Sequence, residues 1–185
     1  MESLTFKLEQ VKEKESCFES YCLNLCVYIK LMEIERKFLV TNSDFKKDVI
    51  PSVISQGYLN SDKNRTVRVR INSNKAFITI KSKTVGISRE EFEYKIPVAD
   101  AEMMINNICE KPIIKKLRYL ISFQGNLWEV DEFLEENEGL TVAEIELKSE
   151  EEVFNKPDWI GKEVSDDSRY FNSSLIKTPF KQWNL

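Results

Sequence analysis

The chain has 185 residues, 42% of them hydrophobic and 31% charged, which suits one soluble globular domain and argues against disorder. A formal net charge of -4 gives no overall basic field for nucleic acid, and neither a bilayer-length apolar run nor a cleavable leader pattern is present, so the cytoplasm is the expected compartment. With no histidine, and with five glycines that form neither GxxxxGK[ST] nor GxGxxG, chemistry falls to carboxylates, lysines, arginines and oxygen-ligated metal ions.

Residues 1–31 differ from the rest. Lys7 to Lys14 is a charged helical pattern, and Tyr21 to Leu31 is an apolar patch. An added helix is one reading; the favoured one is that translation starts at Met32, because a charged strand begins directly after it. Cys17, Cys22, Cys26 and Cys109 lack CxxC spacing and are read as free thiols.

A single domain is expected over 32–185, with strands at 33–40, 53–60, 65–72, 75–82, 89–96, 113–122, 126–133 and 141–149. Asn60 to Asn64 and Asn72 to Asn74 are turn chemistry and favour antiparallel hairpins. A helix is predicted from Pro97 through Ile108, with Val98, Ala101, Met104, Ile105 and Ile108 at helical spacing. Ser149 is placed to cap a helix beginning at Glu150, and Asp167 or Ser168 another that runs through Leu175. The fold class is therefore mainly antiparallel β with some helix (α+β). An eight-stranded closed β-barrel with helices packed outside removes exposed edges; an open, strongly curved sheet is the alternative.

Strand side chains alternate between faces, and here the alternation is charged against apolar. Glu33, Glu35 and Lys37 share a face opposite Ile34 and Phe38. Arg68 and Arg70 oppose Val67, Val69 and Ile71; Lys81, with Thr79 and Phe77, opposes Ile78 and Ile80. Arg89, Glu91 and Glu93 oppose Phe92 and Tyr94, while Lys116 and Arg118 oppose Leu117 and Tyr119. Glu129 and Asp131 oppose Trp128 and Val130, which places Trp128 in the core, and Glu144 and Glu146 oppose Ala143 and Ile145. Any one strand by itself reads more readily as a solvated face. Taken together, the cation pairs and carboxylate pairs segregate by strand, which points to a charged interior.

Such an interior needs an anion. Lys37, Arg68, Arg70, Lys81, Lys116 and Arg118 are phosphate-binding types, because arginine grips phosphate oxygens bidentately and buried like charges are otherwise costly. A linear polyphosphate carries enough charge. Glu33, Glu35, Glu144 and Glu146, with Glu129, Asp131 and Glu91 or Glu93 nearby, form an all-oxygen set suited to Mg²⁺ or Mn²⁺. Phosphoryl transfer from such a site rests on charge stabilisation and positioning.

The ordered series Glu33-x-Glu35-x-Lys37, Gln56-Gly57-Tyr58-Leu59, Arg68-x-Arg70, Lys81-Ser82, Arg89-x-Glu91-x-Glu93, Lys116-x-Arg118-Tyr119, Glu129-x-Asp131, Glu144-x-Glu146, Glu163-Val164 and Arg169-Tyr170-x-Asn172 resembles the CYTH superfamily, the triphosphate tunnel metalloenzymes, and especially its small bacterial members. The resemblance runs from Met32 to about Asn172. It implies an antiparallel tunnel with triphosphate at its centre and metal-dependent release of orthophosphate. It also implies phosphate binding by the six cations, metal binding by Glu33, Glu35, Glu144 and Glu146, and closure by Tyr58 over the tunnel. Glu33, Glu35, Lys37, Glu144 and Glu146 are the expected catalytic set. Relatives specialised for thiamine triphosphate carry a tryptophan two residues before the first arginine of R-x-R, where this chain has Thr66. The expected substrate is thus inorganic triphosphate, with an organic triphosphate second and a homodimer as the candidate assembly. Alternatives are a class IV adenylate cyclase, another nucleoside or organic triphosphatase, and a non-catalytic polyphosphate-binding module.

Overall fold

A computed structural model describes residues 32–184, so the expectations for 1–31, including Cys17, Cys22 and Cys26, lie outside the described residues. The strands are β1 (Glu33–Val40), β2 (Ser52–Asn60), β3 (Arg65–Asn72), β4 (Lys75–Ser82), β5 (Ser88–Arg89), β6 (Glu91–Ile96), β7 (Ile114–Phe123), β8 (Asn126–Phe133), β9 (Thr141–Glu146) and β10 (Ile160–Glu163). Helix α1 spans Val98–Asn107 and the single-turn α2 spans Asn172–Leu175. None of the described helices is long and apolar enough to cross a membrane.

Every ladder between these strands is antiparallel, and the strand order is β10-β1-β9-β8-β7-β2-β3-β4-β6, with β5 paired to β1. This corrects the expected eight-stranded closed barrel: the sheet has ten strands and its ladder does not run round the circle. The reason lies in the stretch expected as one strand over 89–96, which breaks at Glu90. Before the break, Arg89 and Ser88 pair with Glu33 and Ile34 of β1; after it, Glu91 to Ile96 pair with β4. Chain 88–96 thus touches both margins of the curled sheet, with only Ser88 and Arg89 reaching β1.

The outer, apolar faces are covered in sections. Phe38, Trp128, Val130, Ala143 and Ile145 on β1, β8 and β9 form one core with Phe45, Leu147 and Trp159, and Phe154 packs against it. Burying each of the large side chains contributes about 1.5–3 kcal/mol. The covering segment holds two departures from expectation. No helix starts at Ser149; its carbonyl instead accepts the Glu152 N–H in a turn, and the Glu152 carboxylate accepts the Lys148 N–H at 2.5 Å. The carboxylate of Glu150 goes to the Ser88 hydroxyl, also at 2.5 Å, so these acidic side chains are engaged elsewhere. The short β10, which pairs with β1, carries no alternating pattern and was not expected from sequence.

Helix α1 packs Ala101 and Ile105 against Val69, Ala76 and Cys109 on the outside of β3 and β4. It ends one residue early, and Ile108, expected on its buried face, is 63% exposed. Below it, Gly57 on β2 admits close approach: a Cβ there would lie 2.7 Å from Cys109 Cβ and 2.9 Å from Ile113 Cδ1. Gly57→Ala is expected to cost about 1–3 kcal/mol through overpacking, lowering Tm by about 2–12 °C. An unchanged melting curve would contradict this contact.

At the C-terminus the expected single helix is divided. Asp167 caps a 3-10 turn at Ser168–Tyr170 by accepting the Arg169 N–H, and α2 follows after Phe171. Leu175 and Ile176 then pack with Tyr58, Ile114, Phe133, Leu140 and Val142. Ile114, Phe133 and Val142 have the same parity as the charged residues of their strands. The inner face is therefore charged along part of each strand and apolar where the C-terminal segment meets it.

Candidate active site

Strand parity and curl together bring the charged face inward. A cavity of about 800 Å³ is lined by Glu33, Glu35, Lys37, Tyr58, Arg68, Arg70, Lys81, Glu91, Arg118, Glu129, Glu144 and Glu146, among others. Lys116 and Asp131 are the two sequence-picked residues that do not line it. Each side chain is 1% exposed, and they pair with one another beside Arg118. Glu93, weighed with Glu91 for the metal set, lines the cavity, as do residues not picked as site members: Arg89, Phe77, Thr66, Ser165, Phe171, Asn172 and Ser173. The parity of Arg89 and Glu93 with Glu91 was the available signal. Nothing in strand periodicity could have brought Ser165 to Ser173 over the site, because these residues reach it through the chain's return past β1. There Ser165 Oγ accepts the Lys37 backbone N–H at 3.0 Å.

Opposite charges meet across the sheet. Lys81 Nζ donates to both oxygens of Glu33, at 2.8 and 2.9 Å, and lies 3.0 Å from Glu91. Arg89 Nε reaches Glu33 at 2.5 Å. Burial pushes the Glu33 carboxyl up, but Lys81 and Arg89 outweigh this and hold it well below the usual range. These contacts join β4, β5 and β1, the strands where the ladder is interrupted. On β3, Arg70 Nη2 donates to Glu93 at 2.9 Å, and Glu93 also accepts the Thr79 hydroxyl at 2.8 Å. Burial, followed by neighbouring Arg68, brings the Arg70 guanidinium down to about 10.

Arg118 is the hub of the opposite wall. Its Nε and Nη2 grip Asp131 at 2.7 and 2.6 Å, Nη1 contacts Glu129, and Nη2 lies 3.4 Å from Glu144. Asp131, the residue shared by Lys116 and Arg118, stays below the usual carboxylate range: burial raises it, and the two cations more than offset that. Lys116 itself falls to about 8, burial and Arg118 outweighing Asp131. Lys37 Nζ sits 2.6 Å from Glu144 and 3.5 Å from Glu35.

The carboxylate wall carries a charge surplus written into its register. Glu35 stands directly opposite Glu146 across β1 and β9, and Glu129 opposite Glu144 across β8 and β9. Like charges in facing positions are destabilising. Burial and then Glu144 push the Glu35 carboxyl up to about 7, against the pull of Lys37. Among the described residues no three acidic side chains converge into a ready ligand set. The donor chemistry nonetheless fits a hard divalent cation: all-oxygen ligands whose surplus negative charge a cation would neutralise.

Comparison with known proteins gives this arrangement a lineage. Residues 31–178 match the CYTH domain. The chain is 52% identical over 151 residues to an inorganic triphosphatase of Acetivibrio thermocellus, covering 82% of this chain and 97% of that protein. It is 37% identical over 150 residues to an inorganic triphosphatase of Nitrosomonas europaea, covering 78% and 97% respectively. A crystal structure described as that of an inorganic triphosphatase superposes with a TM-score of 0.58 at 33% identity, covering 78% of this chain and 93% of the other. The match spans most of the chain and takes in every strand that lines the cavity: this protein belongs to the CYTH family.

Proposed function

We propose that this protein is an inorganic triphosphatase, hydrolysing tripolyphosphate to pyrophosphate and orthophosphate with Mg²⁺ or Mn²⁺. The observation that carries the reading is a single cavity in which Arg68, Arg70, Lys81, Arg118 and Lys37 face the carboxylates of β1, β6, β8 and β9. Each of these cations has at least one carboxylate within 4 Å, so an entering phosphate chain exchanges partners with groups already charged and placed. Arg68 and Arg70 grip phosphate oxygens, while Lys81 and Lys37 add point charges that balance the charge building on the leaving pyrophosphate. Water adds to a terminal phosphorus as its bond to the bridging oxygen breaks, and the wall of cations holds the three phosphates in line.

Glu35 and Glu146, with Glu33, Glu144, Glu129 and Glu91 beside them, would hold the divalent ion, which polarises phosphoryl oxygens and lowers the pKa of a bound water. Lys116 and Asp131 act from outside the cavity lining: Asp131 fixes two nitrogens of Arg118 and so orients its remaining donors. Tyr58 lines the cavity and packs on the apolar floor, where it can close against the phosphate chain. Thr66 lines the cavity in place of the tryptophan that would stack on an organic base, which favours the inorganic substrate. The same reading makes residues 32–185 one enzyme domain working in the cytoplasm.

The test is phosphate release from tripolyphosphate, ATP and thiamine triphosphate with Mg²⁺ or Mn²⁺. Tripolyphosphate is expected to turn over fastest. Comparable or faster ATP hydrolysis would overturn the substrate assignment, and cyclic AMP formation would replace it with a cyclase. A blank assay accompanied by a tripolyphosphate-induced rise in Tm would leave a binding module.

A further inference from the structure

Gln56 is the buried polar residue that the ion-pair network leaves out. It is 0% exposed on β2, between Ile54 and Tyr58 on the same inward face. Neither Oε1 nor Nε2 has a hydrogen-bond partner among the described residues. Burying an amide in that state is unfavourable unless its polar atoms find partners. Such exceptions ask for an explanation, and an ordered water is a common one. Here the neighbour on β3 supplies the second half of the answer. Gln56 pairs across the strands with Arg70, whose Nε is also buried and unpartnered among the described residues.

Arg70 is otherwise well held. Its Nη2 donates to Glu93, and its guanidinium carbon lies 5.7 Å from the centre of the Phe77 ring. Those contacts leave the Nε edge of the fork without a partner among the described residues. On the other side of β2, the pairing partner is Ile114, which offers no hydrogen bond. The unused amide and the unused guanidinium N–H therefore stand on residues directly paired in register.

We infer that Gln56 is a positioning residue for Arg70, acting through a buried water that accepts the Arg70 Nε–H and donates to Gln56 Oε1. The amide N–H donates into the same small cluster of water, which meets the two to four polar partners that a buried water requires. The guanidinium plane is then fixed at its Nε edge as well as at Nη2, with the rest of the fork turned to the cavity. A planar, bidentate donor depends on such orientation, since a tilt loses one of its two phosphate contacts. This gives a role to a neutral amide buried between Ile54 and Ile114. It rests on the reading of the cavity as a tripolyphosphate site.

A double-mutant cycle tests it. Gln56→Met, close in volume but without the amide, is expected to raise KM for tripolyphosphate about tenfold while kcat falls less than threefold. Arg70→Lys, which has no Nε–H and no fork, is expected to raise KM further. The double variant should match Arg70→Lys alone, because the amide then has nothing to position. Gln56→Glu keeps an acceptor oxygen and should stay within threefold of wild type. Multiplying effects in the double variant, or an unchanged KM for Gln56→Met with a raised Tm, would overturn the inference. Should Gln56→Met not fold, Gln56→Leu enters the same cycle. If the wild type binds tripolyphosphate without hydrolysing it, the triphosphatase reading fails by itself, and the cycle is read from the Tm shift that tripolyphosphate induces in each variant. No such shift in the wild type would sink both.

Discussion

Glu146→Gln should abolish turnover of tripolyphosphate while leaving the fold intact. Glu146 lies opposite Glu35 in the β1–β9 register, and this facing pair is where a divalent ion is expected. Changes one shell beyond a metal ligand typically cost 10–100-fold, so loss of a ligand is expected to reduce kcat by more than about 100-fold. Stability should move little, because the change removes one of two facing like charges across the β1–β9 register, and Tm of the free protein should stay within about 4 °C of wild type. Tripolyphosphate should still raise Tm in the variant without added metal, because the cation wall is untouched. Turnover within tenfold of wild type would remove Glu146 from the metal set. Lost turnover with a falling Tm would assign it a structural task instead.

Asp131→Asn is expected to act through stability first. Asp131 and Lys116 are each 1% exposed, and Asp131 is also held by two nitrogens of Arg118. Neutralising the shared carboxylate leaves buried cations without their counter-charge. Removing one partner of a buried pair costs about 3–5 kcal/mol, which for a domain of this size lowers Tm by about 6–20 °C. Lys116 already sits near 8 because burial and Arg118 work against its charge, so losing Asp131 should push its proton off at lower pH. Binding of tripolyphosphate should recover part of the lost Tm by supplying negative charge beside Arg118. A Tm within about 2 °C of wild type would mean that the pair holds nothing in place.

Several elements were legible from local pattern alone. The strands at 33–40, 65–72, 75–82 and 126–133 match the structure to the residue, since turn residues bound them and charged and apolar positions alternate along them. Helix α1 was legible from its apolar spacing, although Ile108 was not, because the helix stops before it. The helix expected after Ser149 fails where its acidic side chains find partners outside the segment, a contest that local propensity does not record. The short β10 and the cavity contributions of Ser165 to Ser173 depend on contacts with β1, far back in the chain, such as that between Ser165 and Lys37 at a separation of 128. The break at Glu90 was equally invisible, since parity runs unchanged through 89, 91 and 93 while the pairing partner switches from β1 to β4.

By itself, then, the sequence determined which face of each strand is charged, and with it the phosphate and metal chemistry open to this protein. Period-two alternation is a property of the extended backbone and needs no tertiary contact to operate. Tertiary structure decided that the charged face turns inward, because an isolated strand reads the same whether that face meets water or a cavity. It also decided depth: Lys116 and Asp131 share parity with Arg118 and Glu129, yet their side chains are 1% exposed while the latter two line the cavity. Register and curl set depth, through pairs such as Ile54 with Lys116 and Arg118 with Asp131. The first of these links strands distant in the chain, and the alternation within any one strand carries no record of either.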